Sequence, residues 1–563
     1  MIAYKNISKI VAVVMAGAVC FCLAAMAFEK TLTEVFGGSH VTMEYESRLF
    51  DTDEVLHINI IMDEAEWDDM LSNAVSETYG QCDVEINGEM FYRVGIRPKG
   101  NTSLTSIAND PETDRYSFKL EFDRYVDGQS CYGLDKLVLN NNYADATNMK
   151  EAFVYDMYRY LDVDASLYNY AQISVNGDDW GVYLALEAVE ESFMLRNYGT
   201  QRGKLYKPES MNMRGEQSGG NGADLNYMDD ELDSYSAIWD GEVTDSGKAD
   251  HRRVVTALKN IAEGASLETY MDVDNLLKYM AVHVFSVNED SLSGRMAHNY
   301  YLYEDDGRLN ILPWDYNLTL GGMGGMRSSN DSATDMVNDA IDQAFSGTAF
   351  FDTLMENEEY HSRYFGYLQQ LADEYISGGG FERFYNRVRG QIDSLVERDP
   401  TAFYTYEEYS KAADMLYEVV QLRGQSIKGQ IEGTIPSTDS EQQNSNAVSS
   451  SFVDASHLDL SVMGSMDMGD RMKQLPEGQA GEFSKQDESF SFEEGNFPQG
   501  SDRPPNETTG ESERDPGKMP DRNFAESNSD SAMKDNLVLY GVCLVILMIA
   551  LLFAKRYRRR PRK

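Results

Sequence analysis

Three two-residue turns do most to limit how this chain can fold. Asn87-Gly88, Asn176-Gly177 and Asp306-Gly307 each separate two short runs of branched and aromatic residues. A tight hairpin needs positive φ at both central positions, which Asn or Asp followed by Gly supplies. Residues 82–86 and 90–96 therefore read as one antiparallel hairpin, 168–175 and 181–187 as a second, and 300–303 and 309–312 as a third. Residues 55–62 alternate as a further strand, and Asp63-Glu64-Ala65-Glu66 then opens a helix with acidic residues in its first turn. Residues 116–122, which carry Lys119, and 134–140 complete the early strands.

Helical periodicity takes over further along. Residues 147–161 place Met149, Phe153, Met157 and Tyr160 on one side, and residues 189–198, 251–263 and 273–285 follow the same rule. Residues 349–377, 380–398 and 406–432 are expected to be helical as well. Strands early and helices late predict an α+β fold over residues 55–433, with a β-rich N-terminal lobe and a helical C-terminal lobe. Residues 29–54 read as a connector. Residues 212–250, rich in Gly, Asp, Ser and Asn, read as a long insertion loop.

Outside that span the composition changes. Residues 434–536 are Ser-, Glu-, Asp-, Asn-, Gln-, Pro- and Gly-rich, bury too little apolar area to offset chain entropy, and are expected to form a disordered acidic stalk. Residues 537–554 are an unbroken apolar run whose helix would span roughly 27 Å, close to a bilayer's hydrocarbon thickness. The basic residues 555–563 follow directly, so the positive-inside rule puts this tail in the cytoplasm and the rest of the chain outside. Residues 1–28 carry Lys5 and Lys9 before an apolar run that ends at Ala25-Met26-Ala27, the pattern of a secretory signal, with an uncleaved anchor as the alternative. Both ends thus predict an exported domain on a single C-terminal membrane anchor.

With 94 acidic against 49 basic residues the formal charge is −45. Such a surface repels a phosphate backbone, which excludes nucleic acid as the expected partner and favours basic protein segments. An acidic surface is also a common solubility device, the plainer reading of the same charge. Of the five cysteines only Cys82 and Cys131 fall in the expected exported domain. One disulfide and two free thiols both fit that pair.

Phosphoryl transfer needs groups that hold phosphates, carboxylate or amide oxygens that hold Mg²⁺, and a base for the acceptor hydroxyl. Candidates occur in a workable order. The loop Lys99-Gly100-Asn101-Thr102-Ser103 joins two strands and could cover phosphates, and Lys119 could reach them, with Glu151 on the next helix as its ion-pair partner. Glu187 ends the second hairpin, where a linker between lobes would lie. Asp290, just after a helix, suits the base, and Asn299 and Asp315 suit the metal. Each residue alone also fits a plainer role: a strand lysine facing solvent, an exposed helical glutamate, a turn aspartate. A hydrolase using Asp290 and Asp315 as acid and base leaves Lys119 and the loop before it unexplained. A Ca²⁺ loop at Asp305-Asp306-Gly307 lacks the required ligand spacing.

These segments carry a resemblance. Val94-Gly95-Ile96-Arg97 with Lys99–Ser103, Ser117-Phe118-Lys119-Leu120, Lys136-Leu137-Val138-Leu139-Asn140-Asn141, Gly181-Val182-Tyr183 with Glu187, and Asn288-Glu289-Asp290 occur in that order. They end in His298-Asn299-Tyr300-Tyr301-Leu302-Tyr303 and Pro313-Trp314-Asp315-Tyr316 with Gly321. Together they resemble the CotH kinase family, the spore-coat protein H group of atypical, secreted-kinase-like proteins. The resemblance implies a divergent two-lobed protein-kinase-like fold that transfers a phosphoryl group from ATP, with Mg²⁺, to Ser residues of a protein substrate, expected here to be Ser-rich and basic. It matches Asp315 to the metal-binding aspartate, Asp290 to the catalytic-loop aspartate and Asn299 to a second metal ligand. Lys119 is the expected phosphate-contacting lysine, and Trp314 is either an adenine platform or core. Asn317 stands where the family often has an acidic or polar residue. Because an exported kinase meets little ATP, the alternative is a surface binding or adhesion module whose kinase-like site is idle.

Overall fold

The computed structural model describes residues 41–209, 221–294, 297–323, 332–343, 345, 347–443 and 451–466. The expected signal or anchor, the transmembrane segment, the basic tail and most of the stalk lie outside the described residues. Among the described residues no helix is long and apolar enough to cross a membrane. The fold is mixed α+β, β-rich towards the N-terminus and helical towards the C-terminus.

The β-rich part contains β1 (Leu56–Ile61), α1 (Glu64–Ser72), β2 (Gly80–Ile86), β3 (Glu89–Lys99), α2 (Thr102–Ala108), β4 (Ser117–Glu121), β5 (Lys136–Asn140), α3 (Lys150–Tyr160), β6 (Tyr168–Val175) and β7 (Asp178–Glu187). Asp63 caps α1, accepting from the backbone N–H of Ala65 and Glu66 as the acidic start predicts. The strands close into a barrel in the order β1-β2-β3-β4-β5-β7-β6, sealed by parallel pairing of β1 with β6. The expected turns hold: Asn87 and Gly88, Asn176 and Gly177, and Asp306 and Gly307 all have positive φ.

Strand alternation sorts the side chains into two cores. Ile58, Val84, Ile96, Phe118, Leu120, Leu137, Leu139, Ile173, Tyr183 and Ala185 fill the barrel interior. Their neighbours Val138, Tyr168, Tyr170, Val182, Leu184 and Leu186 point the other way and join the core of the helical part. The outer face of β5, β7 and β6 is therefore not a solvated surface. It packs on α3 and the helices beyond it.

The helical part contains α4 (Glu191–Tyr198), β8 (Lys204–Tyr206), α5 (Lys248–Ala262), α6 (Val273–Ser286), β9 (Tyr300–Asp305), β10 (Arg308–Pro313), α7 (Glu358–Gln370), α8 (Gly380–Val396) and α9 (Tyr406–Ile431). The strands form a sheet in the order β10-β9-β8. α6 is apolar nearly all round and is buried on most of its surface. Its last carbonyls need donors, and the fully buried Arg423 of α9 supplies them to Val284 and Phe285.

Several expectations are corrected. The connector 29–54 is part of the fold from residue 41, because Tyr45, Leu49 and Phe50 are buried in the barrel core. Thr102 and Ser103 begin α2 rather than lying in an open loop, since Leu104 and Ile107 give that stretch a face to bury. Within 212–250 the described residues are packed: Tyr235 and Ile238 are fully buried, and Lys248 to Asp250 form the first turn of α5. The stalk does not begin cleanly at residue 434, because Ala455 and Met463 are fully buried against the helical core. Cys82 and Cys131 are both buried free thiols.

Candidate active site

Lys99 ends β3 on the outer face of the barrel, opposite Ser117 of β4. Its Nζ donates to Asn140 Oδ1 at 3.0 Å, and Asn140 is the last residue of β5. Asn140 Nδ2 in turn donates to Glu151 Oε2 at 2.8 Å. Glu151 is the second residue of α3, so the turn between β5 and α3 folds the strand end and the helix start onto one lysine. The other oxygen of Glu151 lies 3.5 Å from the backbone N–H of Tyr316, next to Asp315. A chain Lys99–Asn140–Glu151 thus runs from the barrel to the segment that leaves β10.

Asp315 has φ +62, a left-handed conformation uncommon for a residue other than glycine. Val287, Asn299 and Leu320 around it also have positive φ. For β-branched Val287 this is an outlier, and such strain collects where a site over-determines its backbone. The Asp315 carboxylate accepts no hydrogen bond from a described residue, and neither does Asn299 donate to it. Burial raises its pKa, Lys99 opposes that rise, and the Asp290 charge reinforces it. Lys207 and His298 are further charges that lower it.

The same environment acts on the partners. Burial lowers the Lys99 pKa against the pull of Asp315 and Glu151. Burial and then the Asp315 charge push Glu151 up to about 7. Lys99 thus stands against two crowded carboxylates, Glu151 and Asp315, whose mutual repulsion an added cation would relieve.

Asp290 follows the end of α6. Its Oδ1 lies 2.7 Å from His298 Nε2, and its Oδ2 accepts from Asn299 Nδ2 at 3.0 Å. Asn299 Nδ2 also donates to the Asp290 carbonyl at 2.8 Å. Asn288 Nδ2 reaches the Asp315 carbonyl at 3.4 Å, tying the two loops together. Beneath them His283 Nδ1 lies 3.0 Å from the Tyr316 hydroxyl, and its Nε2 lies 2.7 Å from Ser293 Oγ.

Of the residues singled out in the sequence, Lys99, Glu151, Asp290, Asn299 and Asp315 converge here. Trp314 is 5% exposed; its ring packs edge-on against Tyr301 and lies 5.7 Å from Lys99 Nζ, so it supports the lysine from the core. Lys119 does not meet Glu151. Its Nζ donates to Glu190 at 3.0 Å, beside Lys136. Glu187 is fully buried and bonds Arg196, the Tyr45 hydroxyl and the Leu167 N–H, away from this cluster. Lys207, His298 and Asn140 were not assigned roles from the sequence. Asn140 ends an apolar strand just ahead of a helix, and it lies in the segment Lys136–Asn141 that carries the family resemblance; those were the available signals for it.

The residues fit a divalent cation in part. Among the described residues none donates to the Asp315 carboxylate or to the Asn299 amide oxygen. Among the described residues no group of three or more His, Cys, Asp or Glu side chains is arranged to hold a metal ion alone. That donor set suits a Mg²⁺ ion that takes its remaining oxygens from phosphates and water.

The family model of the CotH kinase protein matches residues 96–427, well over half of the chain. The chain belongs to the CotH kinase family. It is also similar to the inner spore coat protein H of Bacillus subtilis (strain 168), 22% identical over 319 residues that cover 53% of this chain and 78% of that protein. The matched span contains every residue of the cluster. Membership of this family points to protein kinase activity and to ATP as the phosphoryl donor.

Proposed function

We propose that the chain is a two-lobed, divergent protein kinase that transfers the γ-phosphoryl group of ATP to serine hydroxyls of protein substrates. The observation that carries this reading is the Lys99–Asn140–Glu151 chain standing beside Asp315, with Asp290 acting on the same carboxylate. Lys99 and Lys207 supply positive charge for phosphates, and Glu151 holds Lys99 through Asn140. Asp315, with Asn299, would hold Mg²⁺, which neutralises phosphate charge when bound.

In the transfer step the serine oxygen attacks the γ-phosphorus, a new O–P bond forms, and the bond to the ADP oxygen breaks. Asp290 accepts the hydroxyl proton and releases it to solvent. His298 and Asn299 hold the Asp290 carboxylate in one orientation, so that it presents its remaining lone pairs. The substrate we propose is Ser-rich and basic, because the chain carries −45 and attracts cationic segments. We place the domain outside the cytoplasm on the C-terminal anchor, a reading supported by the apolar run at 537–554 and the basic residues after it.

The test is transfer from labelled ATP to a Ser-rich basic peptide, with Asp315→Asn as the matched control. Wild type is expected to label the peptide and the variant to fall by about 100-fold or more, the usual cost of losing a group that stabilises developing charge. Equal labelling by both proteins would defeat the proposal.

A further inference from the structure

Residues 451–466 lie beyond the family match, which ends at 427, yet they return to the site. The segment is first held on the helical part: Val453 N–H donates to Asn338 Oδ1 at 3.0 Å, Asn338 Nδ2 donates back to Val453 O at 2.9 Å, and Ala455 N–H donates to Thr334 Oγ1 at 3.1 Å. It then makes a short turn of helix, Leu460–Met463, capped by Asp459. Met463 is fully buried, and its carbonyl accepts from Ala146 N–H at 3.1 Å. Met466 N–H donates to Gly322 O at 3.0 Å.

Those two backbone bonds fall on the two segments that carry the site. Ala146 belongs to the turn between β5 and α3 that presents Asn140 and Glu151. Asn142, Ala144 and Asn148 in that turn all have positive φ, so it is not a conformation the turn holds by local preference alone. Gly322 belongs to the loop that follows Asp315. Asn317 Nδ2 also donates to Tyr143 O at 3.0 Å, so the two segments touch one another where the strap crosses them. The fit is close. A Cβ added at Gly464 would lie 2.5 Å from Ala144 O and 2.8 Å from Ala146 N, and one at Gly321 would lie 2.9 Å from Leu460 Cδ1. Met463 packs in the helical core while Met466 packs on the barrel core, so the strap also spans the boundary between them.

We infer that residues 451–466 form a strap that positions the Glu151 turn and the Asp315 loop, with Met463 and Gly464 as positioning residues. This rests on the phosphoryl-transfer reading for its functional consequence. The structural half stands without it.

The experiment uses the full chain carrying Gly464→Ala, which inserts a Cβ against Ala144 and Ala146, with Leu460→Ala as a milder variant should the first fail to fold. Met463→Leu is the conservative companion. Hydrogen exchange reads the amides of residues 142–151 and 315–322, while kcat and KM for ATP are measured in parallel. Gly464→Ala and Leu460→Ala are expected to speed exchange in both segments, by tenfold or more for the former. They are also expected to raise KM for ATP or lower kcat, with Met463→Leu near wild type. Unchanged exchange in both segments overturns the strap whether or not the chain is a kinase. Faster exchange with unchanged kcat and KM overturns its role in catalysis and leaves the strap a structural tie. A wild type that transfers no phosphate overturns the functional reading, and exchange alone then decides the structural half.

Discussion

Lys99 and Lys119 project from neighbouring strands on the same outer face of the barrel, because Lys99 pairs with Ser117 and Lys119 with Arg97. Their surroundings separate them. Lys99 is half-buried, bonded to Asn140 and pulled by the Asp315 and Glu151 charges, whereas Lys119 joins Glu190 and Lys136 farther along the strands. Lys99→Met is therefore expected to cut peptide phosphorylation by about 100-fold or more, and Lys119→Met to leave it within about threefold. Steady-state rates on both variants check this, and a larger loss for Lys119→Met would reverse the assignment. The sequence offered both lysines. It ranked Lys119 first because a lysine centred in an apolar strand looks better placed than one at a strand end, and nothing local reveals that Glu190 reaches the former. Glu187 shows the same limit: its buried bond to Tyr45 joins residues 142 positions apart.

At the scale of elements, periodicity and turn chemistry did well. The three hairpins and helices α3 through α9 lie where branched residues, Asn-Gly or Asp-Gly turns and apolar faces put them. What periodicity did not report is how elements grip one another. Past the end of α8, Asp399 accepts from Arg115 Nη1 at 2.9 Å and from Val182 N–H at 2.8 Å, which ties the helical part to the barrel beside Gly181. A Cβ at Gly181 would lie 2.6 Å from Asp399 Oδ1, and its φ of +151 already disfavours a side chain. Gly181→Ala should pry this ion pair apart and leave Arg115, 2% exposed, without its anion. Breaking such a buried pair costs roughly 3 kcal/mol. Denaturant unfolding measures it, and a change below about 0.5 kcal/mol would mean that the pair shifts without opening.

For the whole molecule, buried groups pull the pH dependence of stability in opposite directions: burial holds the His283 imidazole down to about 3, so its contribution to stability rises with pH up to its ordinary value of 6.5. Burial, reinforced by Glu190, pushes Asp135 up to about 6, and Glu151 rises to about 7. Between the ordinary carboxylate range and those values these two carboxyls bind more protons in the folded chain than in the unfolded chain. The Asp135 contribution to stability therefore falls as pH rises from about 4 to about 6, by up to about 3 kcal/mol. The unfolding free energy of wild type relative to Asp135→Asn is expected to fall between pH 5 and pH 7.5; a difference between the two proteins that does not change with pH would contradict it. The excess of acidic residues was visible in the chain, but which carboxylates are buried was not. Side-chain alternation, turn residues and apolar faces are local properties, so strands, hairpins, helices and the mixed α+β order could be read residue by residue. The meeting of Lys99 with Asn140, Glu151 and Asp315, the diversion of Lys119 to Glu190 and the return of residues 451–466 to the site are contacts between segments far apart in the chain. They form only when burial of two cores brings those segments together, and no local pattern encodes which distant partner will be there.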